Sequence, residues 1–365
     1  MRFHEMYKNN RGLSRRNLIL GSSAFAAGLT LSPYSINAYS SEEENKLNFY
    51  NWDTYIGEDT LSNFKSETGV VTKIDFFADN DELFAKLREG NPGYDVIVPS
   101  NNFVEKMIEA NMLSPLNHNK IKNISNIETR FLNASFDKNR KYSLPYMWGT
   151  MGIGYAKDKV KEIPDSWSFI YESDKYSGRI AMLSEAADVI GMGLKYLGHS
   201  INSKNPSHYK EVEELIISQK KHIKVFAEDN GQDLLASRDV YLAQEWNGDV
   251  GQVMLEDNNI DYLIPKEGSL IWEDCLCIPN GAPHPNNAHK FIDYIYDANV
   301  GAEIADYIQY ATPNKAARKL LGDDYNKNTS IFPEESVLDK CESQLYLGED
   351  ILKIIEDSWT RIRAA

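Results

Sequence analysis

The chain has 365 residues and carries 39 basic against 54 acidic side chains, a formal charge of -15 at pH 7. Such a field repels nucleic acid and anionic lipid and attracts cations. Three cysteines and seven histidines, with no C-x-x-C or H-E-x-x-H spacing, argue against a metal centre, and the length suffices for two ordinary domains.

Residues 1–38 read as an export signal. Arg11, Arg15 and Arg16 give a basic start, Leu18 to Leu31 an apolar stretch, and Ile36-Asn37-Ala38 a small-residue cleavage site. Ser14-Arg15-Arg16-Asn17-Leu18-Ile19-Leu20 has the form of a twin-arginine signal; an ordinary secretory signal with two arginines is the alternative. No cysteine lies near the cleavage region, which argues against a lipid-modified N-terminus. No other apolar run approaches the roughly 20 residues of a membrane span, so the mature chain is expected to be soluble and periplasmic.

After the leader, Lys46 to Trp52 predicts a strand, Thr60 to Thr68 a helix ended by Gly69, and Val70 to Phe77 a second strand. Asp81 to Arg88 predicts a helix, and Tyr94 to Val98 a buried strand closed by Pro99 and Ser100. This alternation argues for an α/β fold with a parallel sheet. Ligands of such sheets sit at the carboxyl ends of strands where the strand order reverses. Trp52-Asp53-Thr54-Tyr55 follows the first strand and Ser100-Asn101-Asn102 the third, so both segments should face one crevice. Pro145 to Tyr155 reads as a strand crossing between lobes, and its glycines match no phosphate loop. No cofactor is expected. Trp167, in a turn opening a helix, is expected to pack, and Asp188 to cap the helix from Val189 to Leu197. His284 and His289 are expected on a surface loop and helix. Cys275 and Cys277 should face one side of a strand, too strained for a mutual bridge, while a bridge from either to Cys341 stays open.

Three times a tryptophan stands close before an aspartate: Trp52-Asp53, Trp246 to Asp249, and Trp272 to Asp274. An alkyl-ammonium on an aromatic face gains about 0.5 to 2 kcal/mol, and a charge-assisted hydrogen bond to a carboxylate about 1.5 to 3 kcal/mol. Converging pairs would suit a molecule with several positive charges, a polyamine. Taken singly, each pair also fits a core tryptophan beside a solvated acid. Asp249 and Asp274 could be imagined as a glycosidase pair, but no independent catalytic motif accompanies them and cation binding explains the pairing of aromatic and acid.

Tyr50-Asn51-Trp52-Asp53-Thr54-Tyr55, Val98-Pro99-Ser100, Pro145-Tyr146-Met147-Trp148-Gly149, Pro265-Lys266-Glu267-Gly268 and Tyr310 to Arg318 occur in this order. Together they resemble the periplasmic spermidine/putrescine-binding proteins of ABC transporters. The resemblance implies a non-enzymatic, monomeric, two-lobed binding protein, each lobe a doubly wound mixed sheet, with a polyamine in the cleft and a membrane permease as partner. Some proteins of this type instead report polyamines to a membrane sensor. The lobes are expected to be discontinuous: 43–149 with 273–318, and 150–272 with 319–365. Position by position, the resemblance implies that Trp52 and Tyr55 pack on the methylene chain, with Asp53 in the polar part of that loop. Ser100 corresponds to a cleft serine, Asp188 to an acidic ligand rather than a cap, and Trp246 to a ring covering the amine. Asp249 matches a carboxylate of putrescine-type members, and Trp272 and Asp274 an aromatic and acid clamp. Tyr310 matches a cleft tyrosine and Gln344 a terminal contact. Asn102 stands where spermidine-type members carry an aromatic. Glu185 with Asp188 resembles their paired acids, whereas Asp249 points to putrescine.

Overall fold

The chain builds two mixed sheets that share one long strand. The structure, a computed structural model, describes residues 43–228 and 230–365; the expected export signal lies outside the described residues. In chain order the elements are β1 (Lys46–Trp52), α1 (Thr60–Thr68), β2 (Val71–Phe77), α2 (Asn80–Arg88), β3 (Val96–Ile97), α3 (Asn101–Glu109), β4 (Ser143–Ala156), α4 (Ser168–Tyr171), β5 (Ile180–Leu183) and α5 (Ala186–Tyr196). There follow α6 (Pro206–Gln219), β6 (Ile223–Ala227), α7 (Gly231–Ala236), β7 (Leu242–Trp246), α8 (Asn247–Glu256), β8 (Ile260–Leu263) and β9 (Leu270–Cys277). The remainder is α9 (Pro285–Ile295), α10 (Ala298–Ile308), α11 (Lys315–Arg318), α12 (Asp323–Asn326), α13 (Glu335–Leu338), β10 (Glu342–Ser343) and α14 (Glu349–Ala364).

Local chemistry sets the boundaries. Leu47 and Phe49 of β1 are buried while Lys46 is exposed, and β1 lies parallel between β2 and β3. Gly69 stops α1 by taking φ 75°, the left-handed conformation that glycine adopts without strain. Asp79 caps α2 by accepting from the Glu82 N–H at 2.7 Å, and Glu82 reaches back to the Ala78 N–H at 2.9 Å, a variant of the capping box.

The strand order β2-β1-β3-β9-β4-β7-β5-β6 contains two reversals of chain direction through space. Between β1 and β3 the succession turns back, and between β5 and β7 it does so again. Each is a switch point of the kind where α/β sheets bind ligands. β4 serves both sheets: Ser143 to Thr150 pairs antiparallel with β9, and Met151 to Ala156 pairs with β7 and β8. All fourteen of its residues are buried. The result is a two-lobed α/β fold with the lobes joined through β4 and β9. α14 packs on α5 and α6, where Arg361 grips Glu213 at 2.7 Å.

Several expectations shift. The Tyr94 to Val98 strand shortens to a two-residue ladder, because Asp95 spends its carboxylate on the Asn48 N–H at 2.7 Å and on His284 Nδ1 at 2.9 Å. His289 is not on the surface: it is buried, with the Asn117 N–H donating to Nε2 at 2.9 Å and Nδ1 donating to the Pro285 carbonyl at 2.6 Å. Burial lowers its pKa first, in keeping with that neutral tautomer. Trp167 is fully buried and donates to the Gly268 carbonyl at 2.9 Å, a packing residue as expected.

The cysteines are free thiols. Cys275 and Cys277 share one buried cluster with Ile97 and Tyr50. Glu342, next to Cys341, pairs with Leu270, five residues of strand before Cys275. At about 3.3 Å per residue that is some ~16 Å, far beyond the ~7 Å Cα limit of a disulfide. The open bridge to Cys341 is thereby excluded. Alkylation with iodoacetamide followed by intact-mass measurement should add one label to the folded protein and three in guanidinium chloride without reductant; two labels missing there and restored by a reductant would contradict the assignment.

Candidate functional site

At the first switch point β1 delivers Trp52 to its carboxyl end, where the ring packs on Phe77 at 4.5 Å and the indole N–H donates to the Val98 carbonyl at 2.9 Å. Asp53 is exposed, and its carboxylate accepts from the Thr54 N–H at 2.9 Å. Thr54 sits at φ 50°, an uncommon conformation for a β-branched residue, and the bend swings Tyr55 inward. The Asn51 amide and the Tyr146 hydroxyl both donate to the Tyr55 carbonyl, at 3.1 and 2.8 Å, and fix the turn. Beyond β3, Ser100 and Asn80 exchange two hydrogen bonds of 3.0 Å. The Ser100 hydroxyl then donates to Asp274 Oδ1 at 2.6 Å.

Asp274 is 6% exposed. Its backbone is placed by β9, where Ser100 forms a bridge to Asp274 and the Cys275 N–H donates to the Pro99 carbonyl at 2.9 Å. On the reverse face Glu273 pairs with buried Arg140 at 2.7 Å. Burial pushes the Asp274 carboxyl up to about 7, against the lowering effect of the Ser100 hydrogen bond and the neighbouring Tyr55 hydroxyl. Around it runs a series of edge-to-face rings: Tyr146 to Tyr55 at 5.3 Å, Tyr55 to Tyr310 at 5.5 Å, Tyr310 to Trp272 at 5.0 Å and Trp272 to Trp246 at 6.1 Å. Edge-to-face geometry is the favoured one for such rings. Two glycines permit the approach. A Cβ on Gly248 would stand 2.5 Å from the Tyr310 ring, and one on Gly149 2.5 Å from the Trp272 ring. The Trp272 indole N–H is buried without a hydrogen-bond partner, and the Tyr55 hydroxyl leans on Asp274 without a well-formed bond. Donors in that condition are costly to leave unmatched.

The second switch point brings Asp188, Trp246 and Asp249 to the ends of β5 and β7. Asp188 is not the cap of α5: the helix begins at Ala186, Glu185 holds the cap position without a side-chain bond, and Asp188 lies buried in the first turn. Burial raises the Asp188 carboxyl to about 7, offset in part by a hydrogen bond with Glu185. Glu185 keeps contact with solvent, although protein encloses much of its surroundings. That enclosure raises its pKa first, followed by the charges of Asp188, Asp81 and Asp79. Asp79 caps α2 and Asp81 lies in its first turn, beside the first sheet, so acids contributed by both sheets' helices act on one another. Trp246 and Asp249 are half-buried, Asp249 in the first turn of α8. Asn247 beside them accepts from the Thr150 N–H at 3.0 Å and donates to the Ser330 carbonyl at 3.0 Å.

Gln344 lies on the segment after β10, and its own polar groups bond to Asn101 and Asn102 at 2.6 and 3.3 Å. The structure thus gathers Tyr55, Ser100, Trp246, Trp272, Asp274 and Tyr310 into one contact network. Asp188 stands at the second switch point, and Asp53 stays on the solvent side. Sequence reasoning missed Asn80, Tyr146 and Asn247, whose contacts have no local signature. Among the described residues, neither Asp188 nor Asp274 forms an ion pair with a Lys, Arg or His, and no cluster of His, Cys, Asp and Glu suits a metal ion. Two desolvated carboxyls, one of them beside a series of aromatic rings, can take a cationic group from outside the chain.

Residues 60–333 match the family of bacterial extracellular solute-binding proteins, and the chain belongs to that family. It is 32% identical over 351 residues to the spermidine/putrescine-binding periplasmic protein of Escherichia coli, covering 95% of this chain and 97% of the relative. Identity to a putrescine/cadaverine-binding protein of Pseudomonas aeruginosa is 31% over 330 residues, 87% of this chain and 93% of the relative. A solved structure described as a putative spermidine/putrescine ABC transporter from Listeria monocytogenes superposes with a TM-score of 0.84 at 31% identity, covering 87% of this chain and 99% of that one. Among the described residues no helix is long and apolar enough to cross a membrane.

Proposed function

We propose that the chain binds a linear polyamine of the putrescine and spermidine class in the cleft and delivers it, in the periplasm, to the permease of an ABC transporter. It works without catalysis, as a monomer, after export directed by residues 1–38. The observation that carries this reading is the pair of buried carboxyls, Asp188 and Asp274, at the two switch points, with no cation among the described residues paired to either. Burying an anion without a counter-charge is costly, and an alkyl-diammonium spanning the two positions would relieve both. Relatives named for putrescine, cadaverine and spermidine support the same ligand class.

On this reading Trp52, Tyr55, Trp246, Trp272 and Tyr310 contact the methylene chain, and Asp53, Ser100, Asp188, Asp249, Asp274 and Gln344 its polar ends. The lobes are 43–149 with 273–318, and 150–272 with 319–365. The exchange of β9 for β7 as the partner of β4 between Thr150 and Met151 supports the first crossing. Titration of the purified protein with putrescine, cadaverine, spermidine, spermine and agmatine, by calorimetry and tryptophan emission, is expected to give saturable binding for at least one amine. Silence in both measurements for all five would end the polyamine reading.

A further inference from the structure

We propose that Glu105 is a positioning residue for the amine site, acting through a strap, residues 342–346, that latches the first sheet to the second; the proposal rests on the polyamine reading above. The strap begins as β10, paired parallel with β9 through Glu342–Leu270 and Ser343–Ile271, and side chains hold it from two further sides. From α3, Asn101 Nδ2 donates to the Gln344 carbonyl at 2.6 Å, and the Glu105 carboxylate accepts from the Tyr346 N–H at 3.1 Å. Asn101 and Glu105 are one helical turn apart and so share a face of α3. From the other side, Lys195 at the end of α5 pairs with Glu342 at 2.7 Å. Asn202 closes a two-bond ring there: its amide donates to the Ser343 carbonyl at 2.9 Å and its oxygen accepts from the Leu345 N–H at 2.9 Å.

The strap is also wired to the ligand acid. Asn101 Oδ1 accepts from the Glu273 N–H at 3.2 Å, so one side chain joins the Gln344 backbone to the residue preceding Asp274. α3 follows β3 of the first sheet, whereas α5 follows β5 of the second. The ladder partners Leu270 and Ile271, with Lys195 and Asn202, fall in the second lobe, so if the lobes draw apart the strap stays with it and lets go of α3. Its bonds to α3 therefore belong to the closed cleft, hold Gln344 in place and add to the lifetime of the bound state, with Glu105 itself away from the ligand. Glu105 supplies the charge-assisted member of the set, the stronger kind of hydrogen bond.

The test compares Glu105→Ala with Glu105→Gln, which retains an acceptor for the Tyr346 N–H. Stopped-flow tryptophan emission with spermidine or putrescine is expected to show Glu105→Ala releasing the amine about five- to fiftyfold faster, with association little changed, and Glu105→Gln close to wild type. Hydrogen exchange at the amides of 343–347 should slow when amine binds the wild type and should not slow in Glu105→Ala. Equal release rates in wild type and Glu105→Ala, even with a lowered melting temperature, would overturn the proposal. So would amine binding that leaves strap exchange unchanged. If the wild type binds no amine, the ligand reading falls and the latch is judged in the free protein. Faster strap exchange in Glu105→Ala than in Glu105→Gln supports it, and equal exchange overturns it.

Discussion

Asp274→Asn is expected to weaken putrescine or spermidine binding at least tenfold at pH 8 and, in the same protein without amine, to raise the melting temperature by a few degrees. The two effects have one origin. Burial lifts the Asp274 carboxyl from 3.8 to about 7, and at about 1.4 kcal/mol per tenfold that corresponds to roughly 4 kcal/mol of strain in the ionised form. Asparagine keeps the shape and an oxygen for the Ser100 hydroxyl but carries no charge to desolvate. It also offers no charge to an ammonium group, and a charge-assisted hydrogen bond is worth about 1.5 to 3 kcal/mol. Calorimetry and a thermal scan at pH 8 read both quantities. Unchanged affinity together with a lowered melting temperature would mean that Asp274 is a structural acid and not a ligand.

Amine affinity should fall by about ten- to a hundredfold between pH 8 and pH 6, tenfold for each acid that must ionise. Asp188 and Asp274 both titrate near 7 in the free protein. At pH 6 each is about nine-tenths neutral and must release a proton before pairing with an ammonium; at pH 8 each is already ionised for the most part. Binding at pH 6.5 should therefore release about one to two protons, read from calorimetry in buffers of different ionisation enthalpy. The stability of the free protein runs the other way. Folded pKa values above the unfolded 3.8 mean that the folded state holds more protons between 3.8 and about 7. The contribution of these two groups is thus fully present below 3.8, declines as pH rises to about 7, and is flat beyond. Amine should accordingly raise the melting temperature most at pH 8. Proton release near zero with a flat affinity profile would refute this account.

Much of the first sheet is legible in the sequence because its signals are local. The alternation in Lys46 to Trp52, the Gly69 stop and the turn residues after the third strand point to the first switch point, and the structure puts Tyr55 and Ser100 there. The second switch point is opaque to the residues alone. An acid near a helix start reads as a cap, and only the helix start at Ala186 places Asp188 inside the first turn, buried. Ser100 and Asp274 are 174 residues apart, and no periodicity announces such a contact. The same holds for the ring series from Tyr146 to Trp246, whose members come from five separate segments. His289 lies on a helix as expected but on its buried face, because the Asn117 N–H that meets its ring comes from a segment far away in sequence.

The long shared strand has a consequence for how the protein is made. β4 is complete only when it has β7, β8 and β9 beside it, and the last of these ends at Cys277. During vectorial synthesis, the first sheet therefore waits for a partner roughly 130 residues downstream, and contacts of such separation form slowly. Neither half of the molecule can finish before most of the chain has emerged, so the nascent protein stays open for most of its synthesis and then closes as a whole.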